Sequence, residues 1–191
     1  MSRIIGGAAG GLTLASVSGD GTRPTTDRVK ESLFARLDHL DAVSGCRVLD
    51  LYAGSGALGL EAASRGAHRV VLVDVSAAAL KSAKANAARI NKALGAQTVS
   101  VVKGRAPSIV RSLGTDWDLV FLDPPYPLAE EELARCLEVV APHVAPDGLV
   151  VVERSSRSPE PEWPAALERT GERRYGETVL WFAEGVGVAP A

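Results

Sequence analysis

Between residues 48 and 152, short apolar runs alternate with segments of helical periodicity, and this alternation limits the folds open to the chain. Strands that alternate with helices are typical of an α/β fold with a doubly wound, mostly parallel sheet, which binds ligands in the crevice beyond the carboxyl ends of its strands. The predicted strands are 47–51, 70–73, 98–103, 119–122 and 149–153, and the predicted helices are 57–65, 77–94, 107–113 and 130–144.

The C-terminal part of the chain departs from this alternation. Segments 166–175 and 178–183 flank Gly176-Glu177 and predict an antiparallel hairpin that closes the sheet. We expect residues 185–191 beyond that hairpin to fray.

The N-terminal part also differs from the central alternation. Two short β-prone pieces, 3–5 and 12–14, surround a glycine-rich tip and predict a hairpin. Thr26 predicts the N-cap of a helix whose Arg28 and Lys30 fit either a solvated face or a contact with substrate. The predicted parts are a hairpin-and-helix extension for substrate recognition over 1–45, a main domain over 46–184 and a tail over 185–191.

Composition limits the class of protein further. The 191 residues, 46% of them apolar, suit one soluble globular domain, and a net charge of -2 argues against broad electrostatic binding of naked nucleic acid. No stretch approaches the ~20 apolar residues of a membrane-spanning helix, and no signal-peptide core is present, so we expect a cytoplasmic protein. Cys46 and Cys136 lie too far apart in sequence for a metal pair, so we predict no metal site.

The run Asp123-Pro124-Pro125-Tyr126 ends a predicted buried strand, because proline cannot continue a strand ladder. This run suits a planar base that carries an exocyclic amine. Asp123 can accept one amine hydrogen and the Pro124 carbonyl the other, while Tyr126 stacks on the ring. Holding both hydrogens leaves the nitrogen lone pair free to attack an electrophile. The run is similar to the Asp/Asn-Pro-Pro-Tyr/Phe signature of amino-methyltransferases that use S-adenosylmethionine.

A second motif follows the first strand of the main domain. Gly54, Gly56 and Gly59 have the G-x-G-x-x-G spacing that lets a ligand approach the backbone, and Asp74 is placed to accept ribose hydroxyls. These residues fit a nicotinamide dinucleotide as well as another nucleoside cofactor. Asp50 at the end of the strand would repel a pyrophosphate but attract the ammonium of a methionine moiety.

Four stretches of the chain together resemble the RsmD family, whose members methylate the exocyclic N2 of one guanine in 16S ribosomal RNA. The stretches are Arg3-Ile4-Ile5-Gly6-Gly7, Arg23-Pro24-Thr25-Thr26-Asp27-Arg28-Val29-Lys30-Glu31, Asp50-Leu51-Tyr52-Ala53-Gly54-Ser55-Gly56 and Asp123-Pro124-Pro125-Tyr126. The resemblance runs from Arg3 to about Phe182. It implies a Rossmann-like, seven-stranded sheet, S-adenosylmethionine as the cofactor, and 16S rRNA in the small ribosomal subunit as the partner of a monomer.

The motifs and the resemblance assign a role to each candidate site residue. The predicted catalytic residues are Asp123, Pro124, Pro125 and Tyr126. The predicted cofactor-binding residues are Asp50, Tyr52, Ala53, Gly54, Ser55, Gly56, Gly59, Asp74, Thr25 and Arg105. Arg3, Arg23 and Arg28 are the predicted substrate-binding residues.

The chain departs from the family pattern in two places. Ala8-Ala9-Gly10-Gly11 stands where family members carry Lys or Arg, which removes positive charge from the N-terminal hairpin. Gly104-Arg105-Ala106 replaces Gly-Asp-Ala, so a carboxylate contact to the adenine amine of the cofactor is lost, and Arg105 retains either a backbone contact or a role in RNA binding.

Three other functions fit parts of the sequence. An adenine-N6 methyltransferase acting on DNA or RNA would use Asp123-Pro124-Pro125-Tyr126 in the same way. An NAD-dependent oxidoreductase would explain the glycines but not the proline run, and a non-catalytic RNA-binding protein would explain the fold alone.

Overall fold

A computed structural model describes residues 2–17 and 26–187 of the chain. The strands are β1 (Ser2–Arg3), β2 (Thr13–Leu14), β3 (Arg47–Leu51), β4 (Arg69–Asp74), β5 (Val99–Lys103), β6 (Trp117–Leu122), β7 (Val144–Ser155), β8 (Leu167–Tyr175) and β9 (Thr178–Gly185). The α-helices are α1 (Asp27–His39), α2 (Ala57–Ser64), α3 (Ala77–Leu94), α4 (Ala106–Ile109) and α5 (Glu130–Val140), with single 3₁₀ turns at Val110–Ser112 and Ala141–His143.

The predicted doubly wound architecture is confirmed. Seven strands form one sheet in the order β5-β4-β3-β6-β7-β9-β8, and β1 pairs with β2 in a separate small hairpin. The five strands from β5 to β7 are parallel, and β9 runs antiparallel between β7 and β8. The parallel strands therefore end at one edge, and the sequence order reverses between β3 and β6, where open α/β sheets bind ligands.

Side chains of the central strands alternate between two cores on opposite faces of the sheet. Val48 and Leu119 contribute to the core that includes residues of α1, α2 and α3. Leu49 and Val120, their neighbours in sequence, contribute to the core that includes residues of α4 and α5. Because both faces are covered, the strands are almost continuously apolar, and the polar groups lie at their ends.

The N-terminal hairpin is held to α2 by a buried carboxylate. Glu61 is fully buried and accepts hydrogen bonds from the backbone amides of Ile5 (2.7 Å) and Gly6 (2.9 Å). It also accepts one from Nε of Arg65 at 2.9 Å and lies 3.8 Å from Nζ of Lys30. The apolar residues Ile4 and Leu14 of the hairpin join the core of the main sheet, so the hairpin packs as part of the fold.

Lys30 is neither on a solvated face nor in position to contact substrate. Its side chain has 0% exposure, and Nζ donates to the carbonyl of Arg3. Burial lowers the pKa of the Lys30 ammonium from its ordinary value, while Glu61 acts in the opposite direction. The predicted helix start is confirmed, because the Thr26 side chain accepts a hydrogen bond from the Val29 amide.

The start of β7 and the end of β9 differ from the predicted strand ends. β7 begins at Val144 rather than at 149, because Val144 still pairs with Trp117 beyond a shift in register between Trp117 and Leu119. At the end of the chain, Gly185 still belongs to β9, and the Val186 amide donates to the Ala166 carbonyl at 2.9 Å. Backbone hydrogen bonds of this kind do not depend on the type of side chain, so the sequence pattern does not predict them. The last residues of the expected frayed tail, 188–191, lie outside the described part of the chain.

The predicted helices 107–113 and 130–144 are also shorter than expected. Each gives way to a 3₁₀ turn, after Ile109 in the first and after Val140 in the second. Among the helices that the structure describes, none has both the length and the apolar character needed to cross a membrane.

We expect Glu61→Gln to destabilise the fold by about 3–5 kcal/mol, because it leaves the buried Lys30 ammonium, the partly buried Arg65 guanidinium and two backbone amides facing a neutral group. Urea denaturation followed by circular dichroism measures the loss. Glu138→Gln, an exposed change on α5, is the matched control and should stay within about 0.5 kcal/mol of the parent. Equal losses in the two variants would contradict this account of the hairpin.

Candidate cofactor and catalytic site

The ends of β3, β4 and β6 bring the predicted site residues to one edge of the sheet. Asp74 is the last residue of β4, and Asp123 directly follows β6. The Asp123 amide donates to the Leu51 carbonyl at 3.4 Å, so the ladder between β3 and β6 extends to the first residue of the proline run. Two motifs far apart in sequence thus meet where the topology predicts a ligand.

The Asp74 carboxylate holds the glycine-rich loop between β3 and α2. Its Oδ2 accepts from the Gly54 amide at 2.9 Å, and its Oδ1 accepts from the Ser76 amide at 2.8 Å. A carboxylate has about four acceptor positions, so two remain for other donors such as ribose hydroxyls. Asp74 is half-buried and lines the cavity described below.

Asp50, near the end of β3, is buried and binds the backbone of the turn that follows the strand. Its residue exposure is 1%, and Oδ2 accepts from the Gly59 amide at 2.9 Å inside the turn from β3 to α2. This hydrogen bond gives Asp50 a role in the loop itself, and its contact with a cofactor ammonium stays a prediction. It supplies the N-terminal cap of α2, because the N-cap residue Gly56 has no side chain to do so.

Burial raises the pKa of Asp50 from its ordinary value of 3.8 to about 7, despite the hydrogen bond from Gly59, which favours the charged form. The nearby Asp74 carboxylate raises it further, because two like charges disfavour ionisation.

Two glycines make this close packing possible. Gly56 has φ +86°, a left-handed conformation that glycine adopts without strain. A Cβ at Gly59 would lie 2.4 Å from Cδ2 of Leu72, so α2 could not approach β4 this closely with any side chain there. The predicted glycine spacing is therefore required by the turn and by helix packing.

A cavity of about 360 Å³ opens beside Asp74. Its volume is within the usual range for small-molecule sites. It is lined by Tyr52, Val73, Asp74, Val75, Gly104, Arg105, Ala106, Pro125, Pro127, Leu128 and Glu132. Most of these residues are apolar, and they lie at or after the carboxyl ends of β3, β4, β5 and β6, apart from Glu132 on α5.

Tyr52 and Arg105 line this cavity in contrasting ways. Tyr52 has φ +61°, a strained conformation for a residue with a side chain, and such strain concentrates at functional sites. Burial raises the pKa of its phenol from the ordinary value. Arg105 is exposed, and its Nη1 lies 3.9 Å from Oε1 of Glu132 on α5. The side chain of Arg105 is thus at the rim of the cavity, opposite the first turn of α5.

The proline run lies next to the cavity. Pro124 is buried, whereas Tyr126 is 51% exposed and presents its ring at the surface. The Leu128 amide donates to the Pro125 carbonyl at 2.9 Å and closes a turn. An exposed aromatic ring beside a strand-end carboxylate is the arrangement expected for stacking on a base.

The predicted substrate-binding arginines are only partly described. Arg3 is exposed and lies 3.9 Å from Asp27, and Arg28 is exposed on α1. Arg23, with the predicted cofactor residue Thr25, lies outside the described residues.

Asn86 is a residue of the site that the sequence analysis missed. It is fully buried on α3, and its Nδ2 donates to the carbonyl of Ser55, in the glycine loop, at 3.0 Å. Its amide group also bonds both backbone groups of Ala15, at 2.8 Å and 3.0 Å. The available signal was a polar residue on the apolar face of α3, between Ala83 and Ile90.

Comparisons with known proteins agree with this geometry. The model of the family described as Conserved hypothetical protein 95 matches residues 2–184. The Escherichia coli (strain K12) protein Ribosomal RNA small subunit methyltransferase D is 38% identical, over 99% of this chain and 93% of its own length. The Haemophilus influenzae protein of the same name is 33% identical over 88% of each chain.

Solved structures show the same fold. The structure of YhhF from Escherichia coli is similar with a TM-score of 0.80 at 32% identity, covering 98% of this chain and 99% of that one. The structure of magnesium protoporphyrin IX methyltransferase from Synechocystis PCC 6803, solved with bound SAM, has a TM-score of 0.66 at 17% identity and covers 88% of each chain. The second likeness establishes the shared fold only.

The raised pKa of Asp50 predicts a pH-dependent stability. The folded protein holds a proton on this carboxyl between about pH 4 and pH 7, whereas the unfolded chain has lost it, so the free energy of unfolding falls as pH rises through this range. In Asp50→Asn this contribution is absent, and the decline should be smaller. Denaturant unfolding of both proteins across this range measures the difference, and parallel curves would contradict the buried, protonated state of Asp50.

Proposed function

Because this chain belongs to the RsmD family of rRNA methyltransferases, we propose that it transfers a methyl group from S-adenosylmethionine to the exocyclic N2 of a guanine in 16S rRNA of the small ribosomal subunit. The observation that carries the proposal is that one cavity is lined both by Asp74, which binds the glycine loop through the Gly54 amide, and by Pro125 of the proline run. The protein would act as a monomer in the cytoplasm, where its substrate is assembled.

The residues at the cavity fit a nucleoside cofactor. A Cβ built on Gly54 meets nothing within 4 Å, so a ligand has room to approach the backbone of the loop at this point. Asp74 has acceptor positions left for ribose hydroxyls, and the apolar wall formed by residues such as Val75 and Leu128 suits an adenine ring. When bound, S-adenosylmethionine would supply an electrophilic methyl group on a sulfonium.

Asp123 and the Pro124 carbonyl would orient the substrate amine. Each accepts one amine hydrogen, so the lone pair is directed out of the base plane, and Tyr126 stacks on the base. The base must leave its own stack to enter the site, which costs a few kcal/mol if it is paired and less in a loop. Positioning of this kind accounts for most of the rate increase in an in-line transfer.

The proton of the methylated amine needs no dedicated histidine. The amine becomes acidic as the new N–C bond forms, and the proton passes to Asp123 or to water. Neither the orientation of the amine nor the loss of its proton requires a metal ion.

We further propose that two parts of the chain have separate roles in the reaction. Residues 46–184 would hold the cofactor and the reacting amine, and the extension over 1–45 would contact the RNA. A protein with a net charge of -2 gains little electrostatic affinity for the phosphates of naked RNA. The assembled subunit would therefore be the better substrate. Arg3 and Arg28, both exposed on the extension, would contact phosphates.

The first test is transfer of labelled methyl groups from S-adenosylmethionine to unmethylated small ribosomal subunits, naked 16S RNA and DNA, followed by nucleoside mass spectrometry. We expect N2-methylguanosine from the subunits. N6-methyladenine would retain the role of Asp123 but exclude guanine as the base, since the same acceptors serve either amine. No transfer to any of the three acceptors would favour a binding protein without catalysis.

Asp123→Ala should abolish transfer and leave the affinity for S-adenosylmethionine nearly unchanged, because Asp123 would act on the substrate amine. Asp74→Ala is the matched comparison. It should weaken cofactor binding by about tenfold or more, since charge-assisted hydrogen bonds contribute about 1.5–3 kcal/mol each. Isothermal titration and the transfer assay separate the two effects. Loss of cofactor affinity in Asp123→Ala together with residual transfer would refute the assigned roles.

A further inference from the structure

Arg154 is a buried charge close to the proline run. It lies near the carboxyl end of β7, the neighbour of β6, and only 2% of its side chain is exposed. A guanidinium keeps its charge at any pH that a protein tolerates, so its burial requires partners. The sequence motifs and the proposed mechanism give this residue no role.

The partners of Arg154 belong to the segment that follows Asp123. Its Nη2 donates to the Leu128 carbonyl at 3.1 Å and to Oε1 of Glu130, the first residue of α5. The Leu128 amide in turn donates to the Pro125 carbonyl. The Leu128 residue is therefore held at both ends, by the turn on its amide side and by Arg154 on its carbonyl side.

We name residues 123–129 the catalytic loop. Its central residues Pro125, Tyr126 and Pro127 are exposed and bury little apolar surface that would hold them in place. Exposed loops with few buried contacts open easily, so polar anchors have a large effect on their conformation. The β6 strand fixes one end of this loop, and Arg154 with Glu130 fixes the other.

We propose that Arg154 is a positioning residue for methyl transfer, acting through the Leu128 carbonyl and Glu130 to set the conformation of the catalytic loop. This inference rests on the proposed function for its kinetic consequence. Arg154 does not touch the substrate, because its side chain is buried, and for the same reason it cannot contact an RNA phosphate. A displacement of about 1 Å at the reacting groups can cost about 100-fold in rate.

The variants that test the proposal are Arg154→Met, Arg154→Lys and Glu130→Gln, with Arg157→Met as the matched control. Arg157 is the second residue after β7, but its side chain is 85% exposed. For each protein, kcat and KM with small ribosomal subunits, the Kd for S-adenosylmethionine and the Tm are measured. Hydrogen exchange of the peptide that covers the catalytic loop gives a readout that does not depend on activity.

We expect Arg154→Met to lower kcat by about 10–100-fold, with the Kd for S-adenosylmethionine and the KM within about twofold of the parent. Exchange in the catalytic loop should rise without a matching rise in the central strands. Arg154→Lys should recover part of kcat, because an ammonium can still donate to one of the two acceptors. Glu130→Gln should have a smaller effect of the same kind, and Arg157→Met should have none.

A merely structural role would give a different result. Unchanged kcat and unchanged exchange in Arg154→Met would overturn the proposal, and so would a rise in exchange across the whole sheet. If Arg154→Met does not fold, Glu130→Gln decides by the same two readouts. A parent protein without transfer activity would refute the proposed function alone, and loop exchange would still confirm or overturn the positioning role.

Discussion

The hydrogen bond from the Gly59 amide to the buried carboxylate of Asp50 determines how the first strand of the sheet turns into the helix beside the site. Helix α2 begins at a glycine cap and receives its N-terminal acceptor from the strand before it. That contact needs α2 to lie close to β4, which only a glycine at 59 allows. With this turn in place, Asp74 can reach the Gly54 amide, and the loop is held at its end and at its centre.

The remaining half of the site follows from the order of the strands. Because β3 lies between β4 and β6, the Asp74 carboxylate and Asp123 arrive at one edge from opposite sides of the glycine loop. The proposed cofactor side of this edge is held by hydrogen bonds from backbone amides. The catalytic loop is exposed at its centre and accepts a hydrogen bond from Arg154 at the Leu128 carbonyl. The two halves are therefore stabilised by different means, and a change in one need not disturb the other.

Buried polar side chains also attach the N-terminal segment to the helices that flank the site. Glu61 binds the amides that precede the hairpin tip, and Asn86 joins Ala15 to the carbonyl of Ser55 in the glycine loop. The segment proposed to recognise substrate and the loop proposed to hold the cofactor thus share one buried amide group. Unpaired, these side chains would be costly to bury, so each has its partners in place.

The sequence alone determined the fold class, the strand and helix positions of the main domain, and the carboxylates and glycines at the strand ends, because these depend on local periodicity and on proline and glycine stereochemistry. It did not determine which polar groups are buried. The burial of the Asp50 carboxylate against the loop was not predicted, and neither was that of Asn86 or Arg154. Lys30, which fitted either a solvated face or a contact with substrate, is fully enclosed. Only the tertiary structure decided these cases, because the partners of Lys30, Asn86 and Arg154 lie in elements distant along the chain. The contact between Asp50 and Gly59 depends on the close packing of α2 against β4.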